Sequence, residues 1–271
     1  MKRPSAKLVV AALAVAFTAV SSQSVATHSW GGYHWARTSN PFTLKLGDNV
    51  SGAWDSVLTK TSHDWSTNPT SYPTVLQTTV VPGTAGKRCK PTPGTTQVCN
   101  DRYGNNGWLG LAQIWISGTH ITQGTTKLND TYFNTSTYNT PEWRNLVSCQ
   151  EVGHTFGLDH QDEDFNNANL NTCMDYTNNP SSNQQPNAHD YEELSIIYAH
   201  IDSTTTVAQS TASAAALPRD VLEHDYNVRS QWGQLVKSSK NGLKEVYVLD
   251  LGRGNKLATF VRWAEGEGRG R

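Results

Sequence analysis

The sequence predicts an α+β fold: a twisted mixed sheet with two long helices and a small β appendage near the C-terminus. Three observations predict it. Runs of alternating or β-branched residues at Phe42–Leu46, Thr74–Val81, Leu109–Ser117 and Ile121–Leu128 read as strands. Apolar residues recur at helical spacing across Val50–Trp65, residues 140–156 and the stretch from Asn187 or Ala188 onward. Finally, Lys244–Leu251 and Lys256–Ala264 alternate in polarity around Gly252-Arg253-Gly254-Asn255, a hairpin signal.

Each element has a local cause. Gly47-Asp48-Asn49 reads as a turn and a helix cap. After it, Val50, Trp54, Val57, Leu58, Thr61 and Trp65 share one face of a helix of about four turns. Residues 82–107 are expected as a long loop carrying Cys89 and Cys99. Thr140 as cap, Pro141 at the first helical position and Glu142 in the first turn start the second helix. It should run to about Phe156 and stop at Gly157. The last helix presents Tyr191, Leu194, Ile197 and Tyr198. Residues 203–217, mostly Ser, Thr and Ala, read as a linker. An isolated hairpin is marginal, so the one at 218–264 must pack on Trp232, Leu235 and Val236 or dock on the main domain. Residues 265–271 are expected to be disordered.

The N-terminus reads as an export signal. Lys2, Arg3 and Lys7 precede an apolar run from Leu8 to Val20, and Ser24-Val25-Ala26 offers small residues for cleavage. The run falls short of the ~20 residues that span a bilayer. A secreted, extracellular chain starting at Thr27, with no membrane attachment and a monomeric state, is therefore expected. Three of the 22 Lys and Arg lie in residues 1–26, which leaves 19 against 23 Asp and Glu. Residues 27–217 carry 9 basic and 16 acidic side chains, and residues 218–271 carry 10 and 7. Nothing has the basic excess of a nucleic-acid binder. Four cysteines after an export signal imply two disulfides. Their connectivity is open. Cys89 and Cys99 flank a Pro/Gly-rich loop and can close it locally, in which case Cys149 pairs with Cys173.

The chemistry concentrates in Gln150-Glu151-Val152-Gly153-His154-Thr155-Phe156-Gly157-Leu158-Asp159-His160. On a helix, positions 150 and 154 project from one face, with Glu151 at the adjacent edge. Gly157 lets the chain leave sharply with positive φ, so His160 can return toward His154. Two imidazoles, one further ligand and water make a catalytic zinc shell. A carboxylate beside the water can take its proton and pass it to a leaving amine.

This stretch resembles the H-E-x-x-H-x-x-G-x-x-H motif of the metzincin zinc peptidases, and among them the matrixin-like group. Glu, the second His, Gly and the third His match in place, and Gln150 stands where the first His is expected. Thr172-Cys173-Met174-Asp175-Tyr176 lies where that family has its Met-turn. The resemblance spans roughly residues 35–202. It implies a metzincin-like catalytic domain over 27–202, with a cleft between a sheet-bearing upper part and a helical lower part. It implies a zinc-dependent endopeptidase with His154 and His160 as ligands and Glu151 as general base. It also implies Met174 beneath the metal, Gly157 at the helix exit, and a peptide or protein substrate laid along Leu109–Ser117 as an edge strand. Gln150 has three readings: its amide oxygen binds zinc, another group such as His189 or Asp162 replaces it, or zinc is absent and the domain is a secreted binding protein. Tyr176 sits where two metzincin branches carry a Tyr that reaches the metal or steadies the oxyanion. Asp162, Glu163, Asp164, Asn166 and Asn167 offer oxygen ligands suited to Ca2+.

Overall fold

A computed structural model describes residues 27–86, 88–209, 221 and 224–268. The expected export signal (1–26), the second half of the expected linker (210–217) and residues 269–271 lie outside the described residues. Among the described residues nine strands form one mixed sheet, with helices against one face. The strands are β1 (His34–Trp35), β2 (Phe42–Asn49), β3 (Leu76–Pro82), β4 (Thr95–Asp101), β5 (Trp108–Ser117), β6 (His120–Asn129), β7 (Gln234–Ser238), β8 (Lys244–Gly252) and β9 (Asn255–Trp263). The helices are α1 (Trp54–Ser66), the short α2 (Asp130–Phe133), α3 (Pro141–His154) and α4 (Ala188–Ile197). Strand order is β3-β2-β4-β6-β5-β9-β8-β7, with β1 paired to β6. The β2–β3, β2–β4, β4–β6 and β1–β6 pairs are parallel, and the pairs from β6–β5 to β8–β7 are antiparallel. Among the described residues no helix is long and apolar enough to cross a membrane.

Local signals place the helix ends. The Thr140 hydroxyl accepts from the Trp143 amide and caps α3, with Pro141 in its first turn. Asn187 caps α4 through His189 and Asp190 amides, while the Asp190 carboxylate accepts from the Asn187 amide. This is a capping box with Asp in the third position. Gly47–Asn49, expected as a turn, instead extends β2 to pair with Val81, Pro82 and Gln97–Cys99. The Asn49 side chain is spent on Gly47 O and Gln97 Oε1, and α1 starts later, at Trp54.

Two expectations are corrected. The loop at 82–107 contains a strand, β4, which sits between β2 and β6 with Thr96–Cys99 buried. Leu109–Ser117 is not an edge: β6 lies on one side of β5 and β9 on the other. The C-terminal hairpin therefore continues the main sheet. β9 pairs with β5 from Trp108↔Trp263 to Ser117↔Asn255. Its alternate side chains enter two cores. Ala258 and Phe260 join the cluster under α1, α3 and α4, whereas Leu257, Val261 and Trp263 join Trp108, Leu111, Trp115, Tyr226 and Trp232 on the opposite face. The physical reason is area: β5 is apolar on both faces and needs cover on both. The start of the linker is also tied down, through Thr206 N–H to Ala36 O at 2.8 Å and Ala208 N–H to Gly94 O at 2.9 Å. Glu265, in the tail expected to be disordered, donates its amide to the Tyr138 hydroxyl at 2.7 Å.

Lys127 of β6 anchors the outer-face cover, donating to Asp225 O and, at 2.7 Å, to Asn227 Oδ1. Burial pushes its ammonium down to about 7. Between that value and the ordinary lysine value of 10.5 the unfolded chain binds more protons, so this group's contribution to stability rises with pH through that window. Urea midpoints at pH ~7.5 and ~9.5 should rise for the wild type relative to Lys127→Met, which lacks this component. Parallel profiles for the two proteins would refute it.

Both disulfides are present, Cys89–Cys99 and Cys149–Cys173. Such bonds persist in oxidising compartments. The second joins α3 to the turn bearing Met174.

Candidate metal and catalytic site

The last turn of α3, the Gly157 exit and the Met174 turn meet at one buried point. Gly157 has φ +96°, and a Cβ there would lie 2.1 Å from Tyr33 O. Only glycine turns the chain here, and the turn brings His160 back to His154 with Nε2 atoms 3.1 Å apart. The His154 ring is held from behind, its Nδ1 2.9 Å from Leu158 O. With Nδ1–H directed at that oxygen, the His154 Nε2 lone pair faces His160. The Asp159 carboxylate accepts from the His160 backbone amide at 2.8 Å, and the buried His160 Nδ1 has no hydrogen-bond partner. Gly153 leaves room beneath: a Cβ there would lie 2.7 Å from both Met174 Sδ and the Trp65 ring.

Gln150 and Glu151 lie one turn before His154 on the same helix. Gln150 donates its amide N–H to Cys173 O at 2.5 Å, which leaves Oε1 buried without a partner. Glu151 accepts from the Ala112 amide of β5, and its Oε2 is buried without a partner. Burial pushes the Glu151 carboxyl up to about 8, against the opposing pull of Lys244 and Arg262. Burial likewise pushes His154 down to about 3, so its imidazole is neutral. Neutral imidazole is the form that ligates metals.

The hairpin roofs this point. Phe260 of β9 stacks on His154 with centroids 4.4 Å apart and planes at 10°. Lys244 Nζ sits 4.1 Å from the Tyr176 ring centre and donates to Asp175 O at 3.0 Å. Arg262 donates to Thr177 O. Glu151 and His154 are each 1 % exposed. Local patterning in the motif carries no sign of these three β8 and β9 residues, which arrive from about 90 to 110 positions later.

Other site expectations fare differently. Tyr176 lies edge-on to His160, centroids 4.4 Å apart, with its ring between His160, Phe165 and Lys244. The acidic loop closes on itself: Asp162 accepts from the Asp164 amide and the Asn167 side chain, and Asp164 accepts from Asn166. Glu163 pairs with Lys237, so the loop's carboxylates do not converge as a calcium cage. His189 belongs to a different group, with His28 and Glu193. A second group, outside the motif, joins His34, His120 and Asp202. Such groups of buried and half-buried His, Asp and Glu offer donors for a metal ion. Compared with known proteins, the chain matches no family model and no curated protein.

Proposed function

We propose that the chain is a secreted zinc-dependent hydrolase of peptide bonds, of metzincin type, with its centre at His154, His160, Gln150 and Glu151. The observation that carries this reading is the pair of buried Nε2 atoms 3.1 Å apart, with Gln150 and Glu151 of the same helix each keeping a buried oxygen unpartnered. Two ligands on one tetrahedral zinc, at bonds of about 2.0–2.1 Å, stand roughly 3.3 Å apart. His154, His160 and the Gln150 amide oxygen would hold the ion. Once bound, zinc supplies charge that polarises a scissile carbonyl and acidifies water. Glu151 takes the proton from the attacking water and delivers it to the leaving amine. Leu158 O keeps the His154 imidazole aimed. The order of strand, helix, strands, motif helix, Met174 turn and final helix also supports the reading.

A second reading, a non-catalytic secreted binding protein on the same fold, is favoured by the roof. With β9 on β5, that strand offers a peptide no open edge, and hydrolysis requires β9 to yield around Phe260. Metal content and casein digestion, compared across wild type, Glu151→Gln and His154→Ala, decide between them. Loss of the ion at this centre and of activity is expected in His154→Ala. Glu151→Gln should keep metal and lose about 10²–10⁴-fold in rate. A metal-loaded wild type without Glu151-dependent hydrolysis sides with the second reading. Zinc binding that His154→Ala leaves unchanged overturns the assigned centre.

A further inference from the structure

We propose a second zinc site, formed by His34, His120, His200 and Asp202, distant in sequence from the motif. Parallel pairing of β1 with β6 makes His34 and His120 register partners. The chain after α4 is then fixed beside them, because the Asp202 amide donates to Arg37 O at 3.0 Å. Four donors from three segments consequently meet. Asp202 Oδ1 lies 3.5 Å from His34 Nε2, 3.3 Å from His120 Nε2 and 3.5 Å from His200 Nε2. His34 Nε2 and His200 Nε2 are 3.0 Å apart. These spacings bracket the roughly 3.3 Å between ligands of a tetrahedral zinc with bonds of about 2.0–2.1 Å.

The surroundings aim these atoms rather than satisfy them. Arg37 holds the other carboxylate oxygen, Oδ2, through its backbone amide at 3.2 Å and its guanidinium at 2.8 Å. That leaves Oδ1 toward the imidazoles. Gly32 O lies 2.9 Å from His34 Nδ1 and fixes that ring's orientation. His34 Nε2 then faces both Asp202 Oδ1 and His200 Nε2. A cation set among these atoms would be bound by all three. Three imidazoles and one carboxylate suit zinc, whereas calcium and magnesium take oxygen shells. Four protein ligands make a closed, structural site. The side chains of His34 and Asp202 are 8 % and 10 % exposed and those of His120 and His200 33 % and 50 %, so an ion can enter from solvent. Bound there, it ties β1, the start of β6 and the end of α4 together.

The test uses full-length protein stripped by chelator and titrated with zinc alone. His120→Ala/His200→Ala removes the two most exposed ligands, and its folding is checked by circular dichroism. Expected is the loss of one zinc per chain relative to wild type, or binding of that ion weakened beyond about 100-fold. The zinc-induced rise in melting temperature should shrink with it. His154→Ala in parallel separates the two sites: it should keep this ion whether or not it loses another. A double variant with the wild type's zinc count, affinity and thermal response would overturn the proposal, as would a wild type that binds no zinc.

Discussion

A chain ending at Asp202 is expected to be insoluble, or to melt far below the full-length protein. Its loss strips β9 from β5 and uncovers Trp108, Leu111 and Trp115, none more than 1 % exposed in the intact fold. A buried aromatic covers ~150–250 Å², worth about 4–6 kcal/mol at ~25 cal/mol per Å² as an upper bound. Two such residues rival the whole stability of a typical domain, about 5–15 kcal/mol. Phe260 leaves the inner core as well, opening a void over His154. Soluble yield and thermal unfolding report the result. A truncated chain that melts cooperatively within a few degrees of the intact one would show that the hairpin is an ornament, as a reading of the linker alone suggests.

Gly157→Ala should cripple both folding and metal uptake. A residue other than glycine at φ +96° costs about 1–3 kcal/mol in backbone strain. The added methyl also meets Tyr33 O, while the Gly157 carbonyl is held by the Trp30 amide at 2.8 Å. Neither backbone can retreat without breaking that contact, so the collision adds to the strain. His160 rides on this turn and should lose its alignment with His154. Urea unfolding and zinc titration measure the two effects. An unchanged urea midpoint would mean that the turn is more forgiving than its geometry implies.

What was legible in the sequence is what short-range chemistry determines. Thr140 and Pro141 announce α3, Gly157 ends its last turn, Asn187 opens α4, and Arg253-Gly254 joins β8 to β9. The convergence of His154 and His160 follows from helix pitch plus one glycine. The missing parts are long-range. β4 was hidden because it is buried in mid-sheet, beside a cysteine loop rich in Pro and Gly, and shows no clean alternation. No periodicity within β5 tells whether its free side takes a substrate or residues 255–263. The same holds for His34 and His120, whose adjacency arises only from the β1–β6 register.

The union of β5 with β9 also has a consequence in time. Gln113 and Thr259 face each other across 146 positions of chain. During synthesis, β6 and β5 can zip as soon as their hairpin emerges, but the far side of β5 must wait for residues 255–263. Contacts of such separation slow folding, because a large loop must close before they form. Until then Trp108 and Trp115 sit on an unfinished sheet with a bare strand edge, the kind of surface on which nascent chains aggregate. The residues of β8 and β9 thus decide when the molecule becomes safe as well as what covers its centre.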